Sequence, residues 1–190
     1  TLAKMAPGTD GNIISYDASG NPVAIATGSN GQVLTSTGAG SPPAFEALPT
    51  GGFAVGASAT PGSSQTIGTS TWTQVTLNAE IYDPNGVFDH SSGYDYVVEA
   101  NGYYLVTGIV YWPGWPNAVR NRAGINVGGT QRLVTFDYNG AAGDAKSVIT
   151  GILSLSASDS VELWVYQESG GDKTVAAGAE NTSMSVQRIA

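Results

Sequence analysis

The sequence predicts an all-β protein with an antiparallel sandwich or jelly-roll core, and three observations indicate that class. Only 12% of the 190 residues are charged, about half the usual share, whereas 41% are hydrophobic and 26 residues are glycine. Short apolar or alternating stretches recur about every 10–15 residues, with Gly, Asn and Asp turns between them. No stretch shows the 3.6-residue period of an amphipathic helix over three turns.

The predicted strands occupy residues 53–190, which we interpret as one head domain. Residues 72–81 alternate as a half-buried strand does, and residues 94–99 precede the hairpin-type turn Asn101-Gly102. The remaining predicted strands are 103–112, 122–127, 132–136, 147–155, 160–166 and 182–189. About eight to ten such strands are typical of two packed antiparallel sheets.

Two of these strands, 103–112 and 161–166, are apolar on both faces. A sandwich strand is normally apolar inward and polar outward, and monomers rarely keep a large apolar patch in water. We therefore expect the outward face to be buried between copies of the chain, the alternative being cover by loops of the same chain. The side chains expected to pack in the core or between copies are Tyr103, Tyr104, Leu105, Val106 and Trp164.

Residues 1–50 contain a 20-residue repeat, in which GTDGNIIS (8–15) aligns with GSNGQVLT (28–35). Each repeat reads as two short apolar stretches between Gly and Pro turns, too little to form a core alone. We expect an extended arm with short β elements, the alternative being a flexible linker. The apolar residues expected to anchor this arm on another chain or surface are Ile13, Ile14, Val33, Leu34 and Phe45.

The strings GTDGNIISYDASGNPVAIA and GSNGQVLTSTGAGSPPAFEA resemble repeated elements of bacteriophage tail-fibre and related virion appendage proteins. The resemblance covers about the first quarter of the chain. It implies a trimeric stalk or an attachment region on the surface of a virion, with other virion proteins as partners of residues 1–50.

The segment GVFDHSSGYDYVVEANGYYLVTG (86–108) resembles the signature of the complement 1q and tumour-necrosis-factor superfamily. The matching positions are Gly93-Tyr94, Asn101-Gly102, Tyr104 and Val106, where Val106 replaces the usual aromatic residue. Residues 125–129, 155–163 and 182–189 are similar to later parts of the same signature. The resemblance implies a ten-stranded jelly roll and a compact homotrimer for residues 53–190.

Charge and composition argue against several classes of function. Seven basic residues against 15 acidic ones give a net charge of −8, which disfavours nucleic acid as a partner. No apolar run approaches the roughly 18 residues of a membrane helix, so we expect no membrane insertion. Cysteine is absent, and the only histidine, His90, lies in a polar turn, so thiol chemistry is excluded and a histidine-based triad is disfavoured. We therefore expect a non-enzymatic protein, the competing hypothesis being a polysaccharide-cleaving enzyme whose carboxylates come from distant loops.

One acidic turn is a weak candidate for calcium. Asp83, Asn85 and Asp89 place three side-chain oxygens around it, and calcium takes 6–8 oxygen ligands. The spacing is not that of an EF-hand loop, and Asp-Pro-Asn-Gly is also simply a good turn. No other metal and no cofactor is expected.

The connection Trp112–Arg122 is rich in residues that dominate binding hot spots. We hypothesise that it contacts a host-surface glycan or protein, or another virion protein. The contact residues would be Trp112, Trp115, Arg120 and Arg122. The alternative is that the two tryptophans pack on the jelly roll or at the trimer axis.

The sequence as a whole predicts a phage virion structural protein. The first hypothesis is a trimeric fibre or spike component whose head projects outward and recognises a bacterial surface. The second is a capsid decoration or cement protein, a head fibre held on the capsid by residues 1–50. The third is a secreted lectin-like adhesin module.

Overall fold

The computed structural model of the chain describes residues 9–47 and 55–189. The chain folds into two compact units, which divide between residues 50 and 51. Regular structure in the described residues is entirely β, and the strand pairings found there are antiparallel, which confirms the predicted all-β class. None of the described residues lies in a helix, so none belongs to an apolar helix of bilayer-spanning length.

The first unit contains two hairpins, one from each copy of the repeat. In the first hairpin β1 (Ile13–Tyr16) pairs with β2 (Pro22–Ile25), and in the second β3 (Gln32–Thr35) pairs with β4 (Ala44–Ala47). The turn between β1 and β2 is held by Asp17, whose carboxylate accepts hydrogen bonds from backbone and side-chain N–H groups of Asn21. Each hairpin thus gets its turn from local polar residues rather than from a core.

The second unit is a sandwich of two sheets. Its strands are, in chain order, β5 (Gly56–Thr60), β6 (Gln65–Ile67), β7 (Thr73–Gln74), β8 (Ala79–Tyr82), β9 (Phe88–Asp89), β10 (Asp95–Val97), β11 (Gly102–Trp115), β12 (Arg120–Val127), β13 (Thr130–Tyr138), β14 (Gly143–Leu155), β15 (Ser160–Gln167), β16 (Lys173–Val175) and β17 (Ser183–Arg188). The β11 sheet has the order β14-β11-β17-β5-β8. The β12 sheet has the order β13-β12-β15-β10-β9, with β7 also paired to β15, and β16 pairs separately with β6.

The core lies between these two sheets. Alternate side chains of the long strands point inward, as the two-residue period of a strand requires. On β11 and β15 the buried side chains are Tyr104, Val106, Val110, Trp112, Val161, Leu163 and Val165. Some of the polar groups enclosed with them are paired: Ser147 donates to the Oδ1 of Asn121 at 2.6 Å, and the buried Gln167 amide donates to the carbonyl of Ile67 at 3.1 Å. Within the described residues, the Trp112 indole N–H and the Asn121 amide nitrogen are buried without a hydrogen-bond partner.

The two sheets approach each other closely at Gly108 on β11. A methyl group on Gly108 would come within 2.8 Å of the Cδ1 of Leu163 on the opposite sheet and 2.9 Å of the Cγ2 of Ile149 on β14. The absence of a side chain therefore lets Leu163 fill the middle of the core. Tight interiors of this kind leave no room for an added methyl group.

The prediction of one strand over residues 72–81 is wrong in detail. The structure divides this stretch into β7, which pairs with β15 in the β12 sheet, and β8, which pairs with β5 in the β11 sheet. Val75 and Leu77 lie between the two strands and are buried as the chain crosses from one sheet to the other. Alternation continues through the crossing, so the sequence pattern does not reveal it.

Other predicted strands are present, mostly with different ends. β11 continues past the predicted end at Trp112 to Trp115, with a register shift between these two residues. The sequence did not predict β5, β6, β9 or β16, which have two to five residues each. Strands this short carry too few side chains to show a period.

We expect Gly108→Ala to lower the free energy of unfolding by about 1–3 kcal/mol, because the added methyl overpacks the contact with Leu163 and Ile149. The measurement is urea denaturation at neutral pH. Gly140→Ala is the matched control, since a methyl group there has no atom within 4 Å. Equal stability of the two variants would show that the sheets are not in close contact at Gly108.

Candidate functional site

The outward face of the β11 sheet carries an apolar stripe. We define this outward stripe as Tyr103, Leu105, Ile109, Val148 and Ile152. Leu105 lies opposite Ile152, and Ile109 lies opposite Val148, so the side chains form cross-strand pairs on β11 and β14. Leu105 is 40% exposed and Ile152 is 60% exposed, which leaves much apolar area in contact with water.

Hydroxyl groups on the same face are satisfied by one another. Thr107 and Thr150 are 3.0 Å apart between the two apolar pairs, and Ser58 and Ser185 are 2.7 Å apart on the neighbouring strands. Paired hydroxyl groups lose little when water is removed, because each already has a partner. The face can therefore be covered by another protein surface at small polar cost.

The five residues predicted to pack in the core or between copies fall in three places. Tyr104 and Val106 are fully buried in the core, and the Tyr104 hydroxyl donates to the carbonyl of Ala100 at 2.7 Å. Tyr103 and Leu105 point outward from the same strand. Trp164 is half-buried on β15, in the other sheet.

The expectation that Trp112 and Trp115 contact a partner is not met. Their exposed fractions are 0% and 1%, and their ring centroids are 5.0 Å apart in the core. The Trp115 indole N–H donates to the carbonyl of Val119 at 3.2 Å. The register shift after Trp112 turns Trp115 inward as well, so both tryptophans are core residues.

Asp144 fixes this irregular end of β11. Its carboxylate accepts hydrogen bonds from the Tyr111 hydroxyl at 2.6 Å and from the Gly114 N–H at 3.0 Å. The bond from Tyr111, followed by that from Gly114, holds the pKa of Asp144 below its usual value. The two bonds hold the bulge at Pro113-Gly114 in place and thereby fix the position of Trp115.

Arg120 and Arg122 lie on β12 and face a different set of rings. The Arg122 guanidinium carbon is 4.8 Å from the Phe136 ring centroid and 4.9 Å from that of Tyr166. Arg122 also pairs with Glu168 at 3.2 Å. Arg120, Arg122, Phe136, Asp137 and Tyr138 line a groove of about 290 Å³ on the outward face of the β12 sheet.

A second groove on that face involves residues that the sequence analysis did not single out as a site. Trp72, Asn126, Gly129, Gln131 and Trp164 line a space of about 400 Å³. The Trp72 ring packs against Tyr166, with the centroids 5.5 Å apart. The sequence does indicate that Trp164 faces outward, since it alternates with buried residues in 160–166. The sequence does not indicate that Trp72 lies beside Trp164, because that contact depends on the pairing of β7 with β15.

The three residues proposed for calcium each make hydrogen bonds to other groups. The carboxylate of Asp83 accepts the N–H groups of Val87 and Phe88, and the Asn85 amide donates to Glu99. In the described part of the chain no group of three or more His, Cys, Asp or Glu could hold a metal ion. Each oxygen of Asp83 is instead used within its own turn.

Asp89 closes the next turn. It accepts hydrogen bonds from both the hydroxyl and the N–H of Ser91 and of Ser92, and from the N–H of Gly93. These bonds, with that from the Ser92 hydroxyl the strongest, hold the pKa of Asp89 well below its usual value. His90, within the same turn, is exposed and pairs with Glu80 at 2.8 Å.

The residues expected to anchor the first unit lie on its hairpins. Ile13, Ile14 and Leu34 are exposed, whereas Val33 and Phe45 are half-buried. Phe45 pairs with Leu34 across the second hairpin and packs against Gly28, where a methyl group would meet the ring at 2.6 Å. The hairpins therefore keep a large part of their apolar area on the surface of the unit.

The fold is similar to solved structures of the tumour-necrosis-factor and complement 1q type. Eiger TNF from S. frugiperda is 14% identical, with a TM-score of 0.53 over 73% of this chain and 94% of that chain. The globular domain of zebrafish complement 1qA is 16% identical, with a TM-score of 0.51 over 71% and 97%. Murine APRIL at pH 5.0 is 10% identical, with a TM-score of 0.55 over 70% and 98%.

This likeness confirms the predicted jelly-roll fold, and at such identities it shows the fold alone. No protein-family model and no curated protein sequence matches the chain. The resemblance of residues 1–50 to virion appendage proteins stays a prediction.

We expect Asp89→Asn to lower thermal stability at pH 7, because the neutral amide is a weaker acceptor for the N–H and hydroxyl groups around it. A carboxyl whose pKa is lowered by folding stabilises the folded state above its unfolded pKa of about 3.9. That contribution is lost as the pH falls through the lower pKa of the folded state. The difference from the unmodified chain should therefore shrink as thermal melts are repeated from pH 7 towards pH 2.

Asp172→Asn is the control for Asp89→Asn, since Asp172 is exposed and makes no hydrogen bond within the described residues. A difference for Asp89→Asn that stays constant from pH 7 to pH 2 would contradict the role given to the Asp89 carboxylate.

Proposed function

We propose that this chain is a non-enzymatic, homotrimeric component of a phage virion appendage. In this proposal the second unit is the projecting head, which recognises a bacterial surface, and the first unit attaches the head to other virion proteins. The observation that carries the proposal is the outward stripe, since it gives the head a surface suited to a second copy of itself.

The energetics of the outward stripe favour association. Complete burial of a large apolar side chain contributes roughly 1.5–3 kcal/mol, and less where the side chain is already partly covered. Five such side chains per copy lie on one face, next to hydroxyl groups that are already paired. Contacts of this kind offset the free energy that association costs.

Three copies are supported by the resemblance of residues 86–108 to the complement 1q and tumour-necrosis-factor signature, which implies a homotrimer. A contact between two different patches of one chain closes into a ring when the rotation between copies is one third of a turn. A closed ring hides the outward stripe of every copy, whereas an open, linear assembly leaves the stripe of one copy exposed.

The attachment role of the first unit is supported by its hairpins. Ile14 is 53% exposed and Leu34 is 44% exposed, although both lie in regular strands. Apolar strands that remain this exposed are suited to docking on a further surface. The resemblance of the same residues to virion appendage repeats supports other virion proteins as that surface.

Electron microscopy of phage particles carrying a gold label on this chain tests the proposed place. Label on the tail or on a fibre supports the appendage proposal. Label distributed over the capsid shell supports a decoration protein instead. In a parallel assay the purified full-length chain should compete with infection if its head binds the host surface, and a decoration protein should not compete.

We expect Ile152→Lys to convert the trimer to single chains at micromolar concentration, because a lysine ammonium cannot be buried unpaired at the centre of the stripe. Light scattering of the purified chain measures the mass directly. The chain is strongly acidic, so an added lysine lowers the repulsion between copies, and dissociation would not reflect net charge.

Val97→Lys is the matched control, because Val97 is likewise an exposed β-branched residue but lies on β10 of the other sheet. It should leave the mass at three times that of one chain. A well-folded unmodified protein with the mass of a single chain at micromolar concentration would overturn the trimer.

A further inference from the structure

Four side chains on the β12 sheet form a continuous row across its outward face. We call Trp72, Tyr166, Arg122 and Phe136 the aromatic track; they lie beside or on the adjacent strands β7, β15, β12 and β13. Successive members are 5.5, 4.9 and 4.8 Å apart, measured between ring centroids or from the guanidinium carbon to a centroid. These steps are close to the strand spacing of about 4.8 Å, so the sheet itself sets the repeat.

The larger groove, of about 400 Å³, lies at the Trp72 end of the aromatic track, and Gly124 helps to shape it. A methyl group on Gly124 would approach the side-chain nitrogen of Gln131 to 2.8 Å and the Trp72 ring to 3.2 Å. Gly124 is also the register partner of Trp164. Because Gly124 has no side chain, the Trp72 indole and the Gln131 amide can lie close to the backbone of β12, with the Trp164 indole beside them.

Two amide side chains in this groove, those of Asn126 and Gln131, make no hydrogen bond within the described residues. The Oδ1 of Asn126 is covered and has no partner, so this buried acceptor is unsatisfied. A half-turn of that amide would present the oxygen to the groove, where a ligand hydroxyl can donate to it.

The residues that line the groove at the Trp72 end of the aromatic track are uncharged. Arg122 is paired with Glu168, and Glu162 accepts the Trp164 indole N–H at 2.6 Å. With a net charge of −8 on the chain, an anionic polymer would be repelled. The groove therefore offers ring faces and neutral hydrogen-bonding groups rather than a free charge.

We infer that this face of the head binds a neutral oligosaccharide. A pyranose presents C–H groups on its faces and hydroxyl groups around its edge, which match stacked rings and free amides respectively. The space of about 400 Å³ lies within the range of small-ligand sites. The groove beside Arg120, Phe136 and Tyr138 extends the face at the other end of the track, so a chain of several sugars fits better than one.

The inference is independent of the proposed virion role. The aromatic track belongs to one folded unit and lies on a different sheet from the outward stripe, so the two surfaces are separate. A monomeric head, or a protein from outside a virion, would keep the same site.

The test is a titration of the full-length chain with neutral hexasaccharides of glucose, galactose and N-acetylglucosamine, and with an acidic hexasaccharide of galacturonic acid. Nuclear magnetic resonance of the four indole N–H groups is the readout, at up to about 10 mM ligand because open sites bind short glycans weakly. At least one neutral hexasaccharide should shift the resonances of Trp72 and Trp164. The resonances of Trp112 and Trp115 should stay fixed, since both rings are in the core.

Substitutions locate the binding. Trp72→Ala and Gln131→Ala should each raise the Kd about tenfold or more, and Gln131→Ala removes no hydrogen bond of the folded chain. Tyr82→Ala and Asn117→Ala are the matched controls, being an exposed aromatic residue and an exposed amide away from the groove. Both controls should keep the Kd of the unmodified chain.

Three results would overturn the inference. In the first, no neutral hexasaccharide shifts Trp72 or Trp164. In the second, only the acidic hexasaccharide does so. In the third, the same two resonances move on dilution without ligand, which would make the face a contact between copies. The first two results do not bear on the mass of the assembly, so the trimer is tested separately by light scattering.

Discussion

The two-residue period of a strand, combined with a single core layer, governs the second unit. A sandwich has room for only one face of each sheet, and on β11 that face supplies Tyr104 and Val106. The other face of the same strand carries Tyr103 and Leu105, which the core cannot use. What the head does therefore depends on what covers its outward side chains.

The outward faces of the two sheets differ in chemistry. On the β11 sheet, aliphatic side chains surround threonine hydroxyl groups that are bound to each other, as Thr107 is to Thr150. A surface of that kind gains most from a lasting protein contact. On the β12 sheet, ring faces adjoin the free amides of Asn126 and Gln131, which suits a ligand that comes and goes through water.

The sequence predicts what depends on local alternation and misses what depends on pairing. The number of short strands, the turns between them and the resemblance of residues 86–108 lead to the jelly roll, which the structure confirms. Trp115 follows a bulge that breaks the alternation, so its burial is not visible in the sequence. The aromatic track joins side chains of four strands, and Trp72 and Phe136 are brought together only by the strand order.

The crossing between β7 and β8 has a mechanical consequence. One short piece of backbone is hydrogen-bonded to both sheets, and Val75, buried between them, donates its N–H to Leu163 at 2.8 Å. The two sheets cannot slide or part while both pairings hold. Amide hydrogens of the central strands should therefore exchange with solvent through one cooperative opening of the whole head, at a common rate, rather than sheet by sheet.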